Sequence, residues 1–211
     1  MTGHSDYRTD YTSIKEVFKA FKDMLHPMAK QNKLGFVLLQ FPPWFDCNSE
    51  NIRYVKFAKT MLEPYKVAVE FRNQTWFKSE YKEETLSFLY NNDIIHSICD
   101  EPQAGMGSIP FVNRVTDSTA FIRLHGRNIH GWTQKDLTSE EWRNVRYLYD
   151  YNKEELEWLK RQVEILKHKT KDIFIVFNNN SGRHAAGNAQ NFIEMMDIKY
   201  TGLSPKQMKL F

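Results

Sequence analysis

The sequence has 211 residues, with 29 Lys and Arg against 26 Asp and Glu and a formal net charge of +3. A chain of this length can bury a sizeable core, and residues 1–211 are interpreted as a single domain. Charges of both signs are scattered along the chain rather than gathered in blocks, so the composition gives only slight support for a nucleic-acid partner.

Targeting and membrane signals are missing from the sequence. Residues 1–10 contain no apolar segment of the signal-peptide type, and no uninterrupted apolar stretch reaches the roughly 18 residues that a membrane helix needs. Cys47 and Cys99 lie far apart without CxxC spacing, which argues against a disulfide framework or a zinc knot. We therefore expect a cytoplasmic protein with reduced thiols and no membrane partner.

Short apolar runs of strand length alternate with segments of helical periodicity. The predicted strands are Leu34–Phe41, Lys66–Phe71, Ile94–Cys99, Thr119–Leu124 and Asp172–Phe177. The predicted helices are Ser13–Asn32, Ser49–Leu62, Glu80–Asn91, Lys153–Lys169 and Arg183–Met196. This order is typical of an α/β fold with a parallel sheet covered by helices. The remaining long segment, Gly126 to Tyr151, is expected to form a functional lid or to contain short helices of its own.

Polar side chains follow every predicted strand at its carboxyl end. In parallel α/β folds, ligands bind at this edge of the sheet. We therefore predict a site there. The candidate residues are Gln40, Glu70, Arg72, Asp100, Arg123, His125, Arg127, Asn178 and Asn179.

Side chains two positions apart on a strand share a face, so Glu70 lies with Arg72, and Arg123 lies with His125. In a barrel these charged groups would face an interior that is normally filled by Val, Ile and Leu. Buried charges need partners. Two interpretations follow: a ligand site, or a buried Glu70–Arg123 ion pair that serves no ligand.

Catalytic roles are assigned to Glu70, His125 and Asp100. Neighbouring arginines disfavour protonation of His125, which suits a general base or a neutral donor. Asp100 has the alternative role of capping the loop that follows it.

Substrate binding is assigned to the remaining candidates. Arg72, Arg123 and Arg127 would bind a carboxylate or phosphate. The amides of Gln40, Asn178 and Asn179 would bind and orient the substrate, although the two asparagines can also serve only as turn residues.

Motifs for specific cofactor chemistry are absent from the sequence. It contains no GxGxxG, GxxxxGK[ST], HExxH or GxSxG pattern, so dinucleotide, P-loop, zincin and nucleophile-elbow chemistry have no support. Ligation of Mn, Fe or Zn by Glu70, Asp100 and His125 is an alternative, but such trios occur in many barrels. We assign no metal, and the cofactor is left undetermined.

At these residues the sequence resembles the bacterial YecE-like family, domain of unknown function 72, and especially its YunF-like members. The resemblance covers nearly the whole chain and rests on motifs in the family's order. They are Leu34–Pro43, Val69–Trp76, Asp100–Pro102, Thr119–Gly126 and Phe177–Asn180 with the following residues 187–189. The resemblance implies a TIM-like (β/α) barrel with a pocket at the strand ends, and it implies no particular reaction.

Members of that family usually open with a glycine- and tryptophan-containing first strand and two further strands, which are not found here. We therefore expect the C-terminal portion of a barrel, with five of its eight strands and exposed edges at the first and last of them.

The functional hypothesis is an enzyme that acts on a small polar or anionic substrate by acid/base chemistry at the strand ends. The alternatives are a metal-dependent hydrolase or isomerase, a nuclease-like barrel, and a non-catalytic ligand-binding barrel.

Overall fold

The computed structural model describes residues 11–134 and 137–201. Within these ranges the strands are β1 (Val37–Gln40), β2 (Val67–Glu70), β3 (Ile94–Asp100), β4 (Thr119–Leu124) and β5 (Asp172–Phe177). The α-helices are α1 (Ile14–Lys30), α2 (Ser49–Leu62), α3 (Lys82–Asn91), α4 (Ile129–Thr133), α5 (Ser139–Arg146), α6 (Lys153–Lys167) and α7 (His184–Met195). The predicted alternation of strands and helices is confirmed, and the segment from Gly126 to Tyr151 contains two short helices, α4 and α5.

The strands form one parallel sheet in the order β1-β2-β3-β4-β5. Each new strand is added at the same edge, which is the winding of a (β/α) barrel rather than of a doubly wound sheet. The α/β class predicted from the sequence is therefore confirmed, and the sheet is a sector of a TIM-like barrel.

The curvature of this sector is evident from the ring of Phe36, just before β1. Its centroid lies 4.8 Å from that of Phe121 on β4 and 5.2 Å from that of Phe174 on β5. In a flat sheet β1 and β5 would be about 19 Å apart, because neighbouring strands are separated by about 4.8 Å. The sheet therefore curls, and its concave face carries apolar side chains below the strand ends.

The convex face packs against the helices. On α6 the buried side chains are Leu156, Leu159, Val163 and Leu166, spaced to form one stripe along the helix. This stripe packs with alternate β4 residues such as Ile122 in one apolar cluster. Because these strand positions face the helices, the intervening ones face the concave side and are free to build a site.

In the described ranges, no helix combines the length and the apolar character needed to cross a membrane.

His96 lies on the convex face of β3, only 3% exposed, with its ring centroid 5.2 Å from that of Phe77. Burial lowers the pKa of His96 to about 4, and an interaction with the Val112 backbone that favours the protonated ring opposes this only in part. In the unfolded chain a histidine titrates near 6.5. The unfolded state therefore binds a proton at a higher pH than the folded state does.

We expect the free energy of unfolding to fall by about 3 kcal/mol as the pH drops from about 6.5 to about 4, with His96 as the cause. His96→Gln should flatten this part of the stability profile in urea titrations at several pH values. His168→Gln, at an exposed position after α6, is the matched control. An unchanged profile in His96→Gln would assign the pH dependence to other groups.

Candidate functional site

Glu70 lies at the carboxyl end of β2 and is 1% exposed. Its Oε2 accepts a hydrogen bond of 2.6 Å from Arg123, and its Oε1 accepts one of 3.3 Å from Arg72. The amide of Gln40, which pairs with Glu70 in the β1–β2 register, donates to the same Oε1. The predicted ion pair is present, and these predicted site residues meet on the concave side of the strand ends.

His125 completes this group from the end of β4. Its Nε2 lies 3.6 Å from Oε1 of Glu70, and its Nδ1 lies 3.1 Å from the amide nitrogen of Asn178. Because an amide nitrogen can only donate, Nδ1 accepts, and the neutral ring carries its proton on Nε2. That proton faces the Glu70 carboxylate. Asn178 thus sets the orientation of the imidazole.

The charges of this group follow from its burial and its contacts. Burial raises the pKa of Glu70, but the adjacent His125 ring and the charges of Arg123 and Arg72 outweigh it and hold the pKa well below the usual value. Burial lowers the pKa of His125, against the opposing effect of Glu70. At neutral pH the pair is a carboxylate beside a neutral imidazole.

Three further residues of the site come from β3 and the residue after it, and the sequence interpretation gave them no catalytic or binding role. Ser97 Oγ lies 3.5 Å from Oε2 of Glu70. Ligand atoms of Cys99, Glu70 and His125 all lie within 4.8 Å of one another, so these three could hold a metal ion. Glu101 is 5% exposed and accepts a hydrogen bond of 2.6 Å from the backbone of Ile109. The alternation of side chains along β3 was the signal available for finding them.

Glu101 differs from Glu70 in its protonation. Burial raises the pKa of Glu101 to about 8, with the Ile109 hydrogen bond opposing and the negative charge of Glu70 adding to the rise. The concave side of the strand ends, which forms the mouth of the barrel sector, thus contains one carboxylate, Glu70, and one carboxylic acid, Glu101, at neutral pH.

Asp100 and Arg127 lie on the convex side of the sheet, away from the group around Glu70. Arg127 donates to both carboxylate oxygens of Asp100, at 2.9 to 3.1 Å, and Tyr151 donates to Oδ2 at 2.7 Å. Arg127 also pairs with Glu155 on α6 at 3.3 Å. Because Asp100 alternates with Cys99 along β3, it faces the helices. The set Glu70, Asp100 and His125 is therefore not assembled, and Cys99 takes the place of Asp100.

Asn179 is also separate from the mouth. It is fully buried, and its amide nitrogen donates to the Tyr149 carbonyl at 2.8 Å and to Oδ1 of Asn188 at 2.7 Å. Asn188 lies on α7 and binds the backbone of Tyr151 in turn. These contacts connect the end of β5 to α7 and to the segment before α6. Asn179 has the contacts of a structural residue, whereas Asn178 reaches His125.

Comparison with known proteins places this arrangement in a family. Residues 1–210 match the family model described as protein of unknown function DUF72. The chain belongs to the DUF72 family. The resemblance inferred from the sequence motifs is confirmed.

Relatives of this DUF72 protein include UPF0759 protein YunF of Bacillus subtilis (strain 168). The two are 48% identical over 212 residues, which span 100% of this chain and 75% of the relative. The fold is similar to that of a DUF72 family protein from Enterococcus faecalis V583, with a TM-score of 0.90 and 33% identity over 97% of this chain and 74% of that one. A DUF72 family protein from Thermotoga maritima MSB8 gives a TM-score of 0.77 and 32% identity over 87% and 66% of the two chains.

The buried ion pair predicts a large effect on stability. Arg123→Leu leaves Glu70 with Arg72 as its remaining arginine partner. We expect the free energy of unfolding, measured in urea, to fall by about 3 kcal/mol, because the buried carboxylate is then only partly compensated. Glu70→Gln combined with Arg123→Leu should cost less than the sum of the single changes.

The exposed pair Lys59–Glu63, at 3.4 Å, supplies the control. Lys59→Ala should change stability by no more than about 1 kcal/mol. Additive single and double changes at Glu70 and Arg123 would show that the two side chains are not energetically coupled.

Proposed function

We propose that this DUF72 protein binds a small anionic substrate at the carboxyl ends of its strands and acts on it by acid/base chemistry. The observation that carries the proposal is the convergence of Arg72 and Arg123 on the buried Glu70, with His125 beside it. The ends of parallel strands are where barrels of this type bind ligands. The fold alone would not support a function.

The two arginines contact Glu70 to different extents, and this leaves N–H donors of Arg72 available for an anionic ligand. Arg123 forms a contact of 2.6 Å, whereas Arg72 makes a longer one of 3.3 Å through Nε only. The side chain of Arg72 is 17% exposed, so it forms the outer part of the mouth. A guanidinium offers several N–H donors in one plane and binds carboxylate or phosphate oxygens in pairs.

The site offers proton transfer one ionised carboxyl group, Glu70, and one protonated carboxyl group, Glu101. Titratable groups whose pKa values are driven apart are typical of acid and base partners in one site. His125 is proposed as the base: its Nδ1, which accepts from the Asn178 amide, would take the substrate proton once the substrate displaces that amide. The imidazolium formed would lie beside the Glu70 carboxylate. Glu101, protonated at neutral pH, is proposed as the acid in place of Asp100.

Binding is tested by a thermal-shift screen of phosphate, sugar phosphates, nucleotides and small carboxylates, because a ligand of the folded state raises the melting midpoint. We expect a hit for the wild type that is weakened at least about tenfold in Arg72→Gln, corresponding to the loss of one charged contact. Glu63→Gln, which alters an exposed carboxylate, should bind as the wild type does. A screen with no hit would contradict the proposal.

Catalysis is tested on the ligand that binds. Incubation in D2O, followed by NMR, detects both conversion and solvent exchange of substrate protons. His125→Gln should slow either process by about a hundredfold, the usual contribution of a general base, while ligand binding is retained. Binding without any conversion would favour the non-catalytic ligand-binding barrel.

A second candidate is a metal-dependent hydrolase or isomerase. It is favoured by the cluster of Glu70, Cys99 and His125, whose ligand types suit zinc or iron. Two features oppose it: burial raises the pKa of the Cys99 thiol, and Glu70 already has two arginine partners.

Elemental analysis of the purified protein decides between the two candidates. The metal-dependent enzyme would contain about one Mn, Fe or Zn ion per chain, with most of it lost in Cys99→Ser and retained in Cys47→Ser. On the acid/base proposal we expect a substoichiometric content that neither change affects.

A further inference from the structure

Arg146, the last residue of α5, is a buried arginine without a charged partner in the described ranges. It is 4% exposed, and its Nε is fully buried with no hydrogen-bond acceptor. No described carboxylate lies within ion-pair distance of it, and none of its side-chain hydrogen-bond donors is used by a described residue. Burial of an unpaired cation is costly, so this position calls for an explanation.

The guanidinium lies against two tryptophans. Its Cζ lies 3.7 Å from the ring centroid of Trp132 and 4.2 Å from that of Trp142. Both indoles pack against the guanidinium, whose N–H donors all lie in its own plane. Hydrogen bonds can therefore form only at the edge of the group. Cation–π contacts offset part of the free energy lost when the cation is buried, but they provide no hydrogen-bond acceptor for the N–H donors.

The backbone around Arg146 is held in place by α4. A Cβ at Gly131 would lie 2.4 Å from the carbonyl oxygen of Val145, so only glycine allows the two helices to come this close. The amide of Asn128 donates to the same carbonyl at 2.9 Å, and the indole N–H of Trp132 donates to the Arg146 carbonyl at 3.1 Å. The arginine is thus preorganised rather than free to seek a partner.

The surroundings of Arg146 belong to the mouth of the barrel sector. Burial lowers the pKa of its guanidinium, and Tyr147, Arg72, Glu101 and Glu70 also act on it electrostatically. The ring of Tyr147, the next residue, lies 5.8 Å from that of His125. Arginines 72, 123 and 146 face only two carboxyl groups here, so positive charge is in excess even with Glu101 ionised.

We propose that Arg146 is a further substrate-binding residue which, together with Arg72, binds an oxyanion group of the substrate, a carboxylate or a phosphate. The role deepens the proposed function and rests on it. An in-plane pair of N–H donors on a stacked guanidinium fits two oxygens of such a group. The α4–α5 segment is then the element that selects for the anionic group.

The test compares Arg146→Gln and Arg146→Lys with the wild type in calorimetric titrations with inorganic phosphate and with malonate. We expect wild-type binding of one or both, at least about tenfold weaker binding in Arg146→Gln, and an intermediate value in Arg146→Lys, which keeps the charge but not the planar fork. Binding of phosphate alone or of malonate alone would identify the oxyanion. Arg114→Gln, at a half-exposed arginine that pairs with Glu83, should be unaffected.

The two proposals fail in different ways. If Arg72→Gln loses binding while both Arg146 variants bind as the wild type does, the role of Arg146 is wrong and the proposed function stands. If the wild type binds neither these anions nor any member of the screen, both are wrong.

A measurement on the wild type covers the case in which Arg146→Gln does not fold. The 15N Nε–H signal of Arg146 is assigned by its loss in Arg146→Lys and followed during the addition of phosphate and malonate. We expect it to shift with saturation. A stationary Arg146 signal beside a shifting Arg72 signal would overturn the role of Arg146.

Discussion

The buried negative charge of Glu70 is the constraint on which the mouth of this barrel sector depends. A carboxylate that is 1% exposed at a strand end requires donors on several sides. Parallel pairing in register supplies them, because Gln40 lies beside Glu70 on the neighbouring strand and Arg123 reaches it from β4. The curvature of the sheet brings these side chains inward together. The ion pair and the curvature therefore support one another.

Around this centre the polar groups form two layers. The inner layer, Glu70 with Arg123 and His125, is largely buried, and within it Glu70 accepts a hydrogen bond from Arg123. The outer groups, Arg72 and the tryptophan-held Arg146, have donors to spare. On the proposals made above, the inner layer sets the charge and orientation of the site, and the outer layer recognises the anion.

Prediction from the sequence succeeded where periodicity and register decide the outcome. The bounds of β4 and β5 and of α2 agree with the prediction, since apolar alternation and helical spacing are local properties. The same alternation placed Glu70, Arg72, Arg123 and His125 on one face. On β3 and the residue after it, the same alternation puts Cys99 and Glu101 on the concave side, whereas Asp100, which the sequence analysis assigns to catalysis, lies on the convex side.

By itself, the sequence determined the α/β class, the order of the elements, the family and the strand-end location of the charged residues, because these follow from local patterns along the chain. Only the tertiary structure decided which charges meet. Arg127 joins Asp100 and Glu155 on the convex side, and Asn179 joins Asn188, since these contacts depend on how helices pack against the sheet. Arg146 is the clearest case. Its contacts with Trp132 and Trp142 arise from helix packing in a segment without clear hydrophobic periodicity, so the sequence pattern could not predict them.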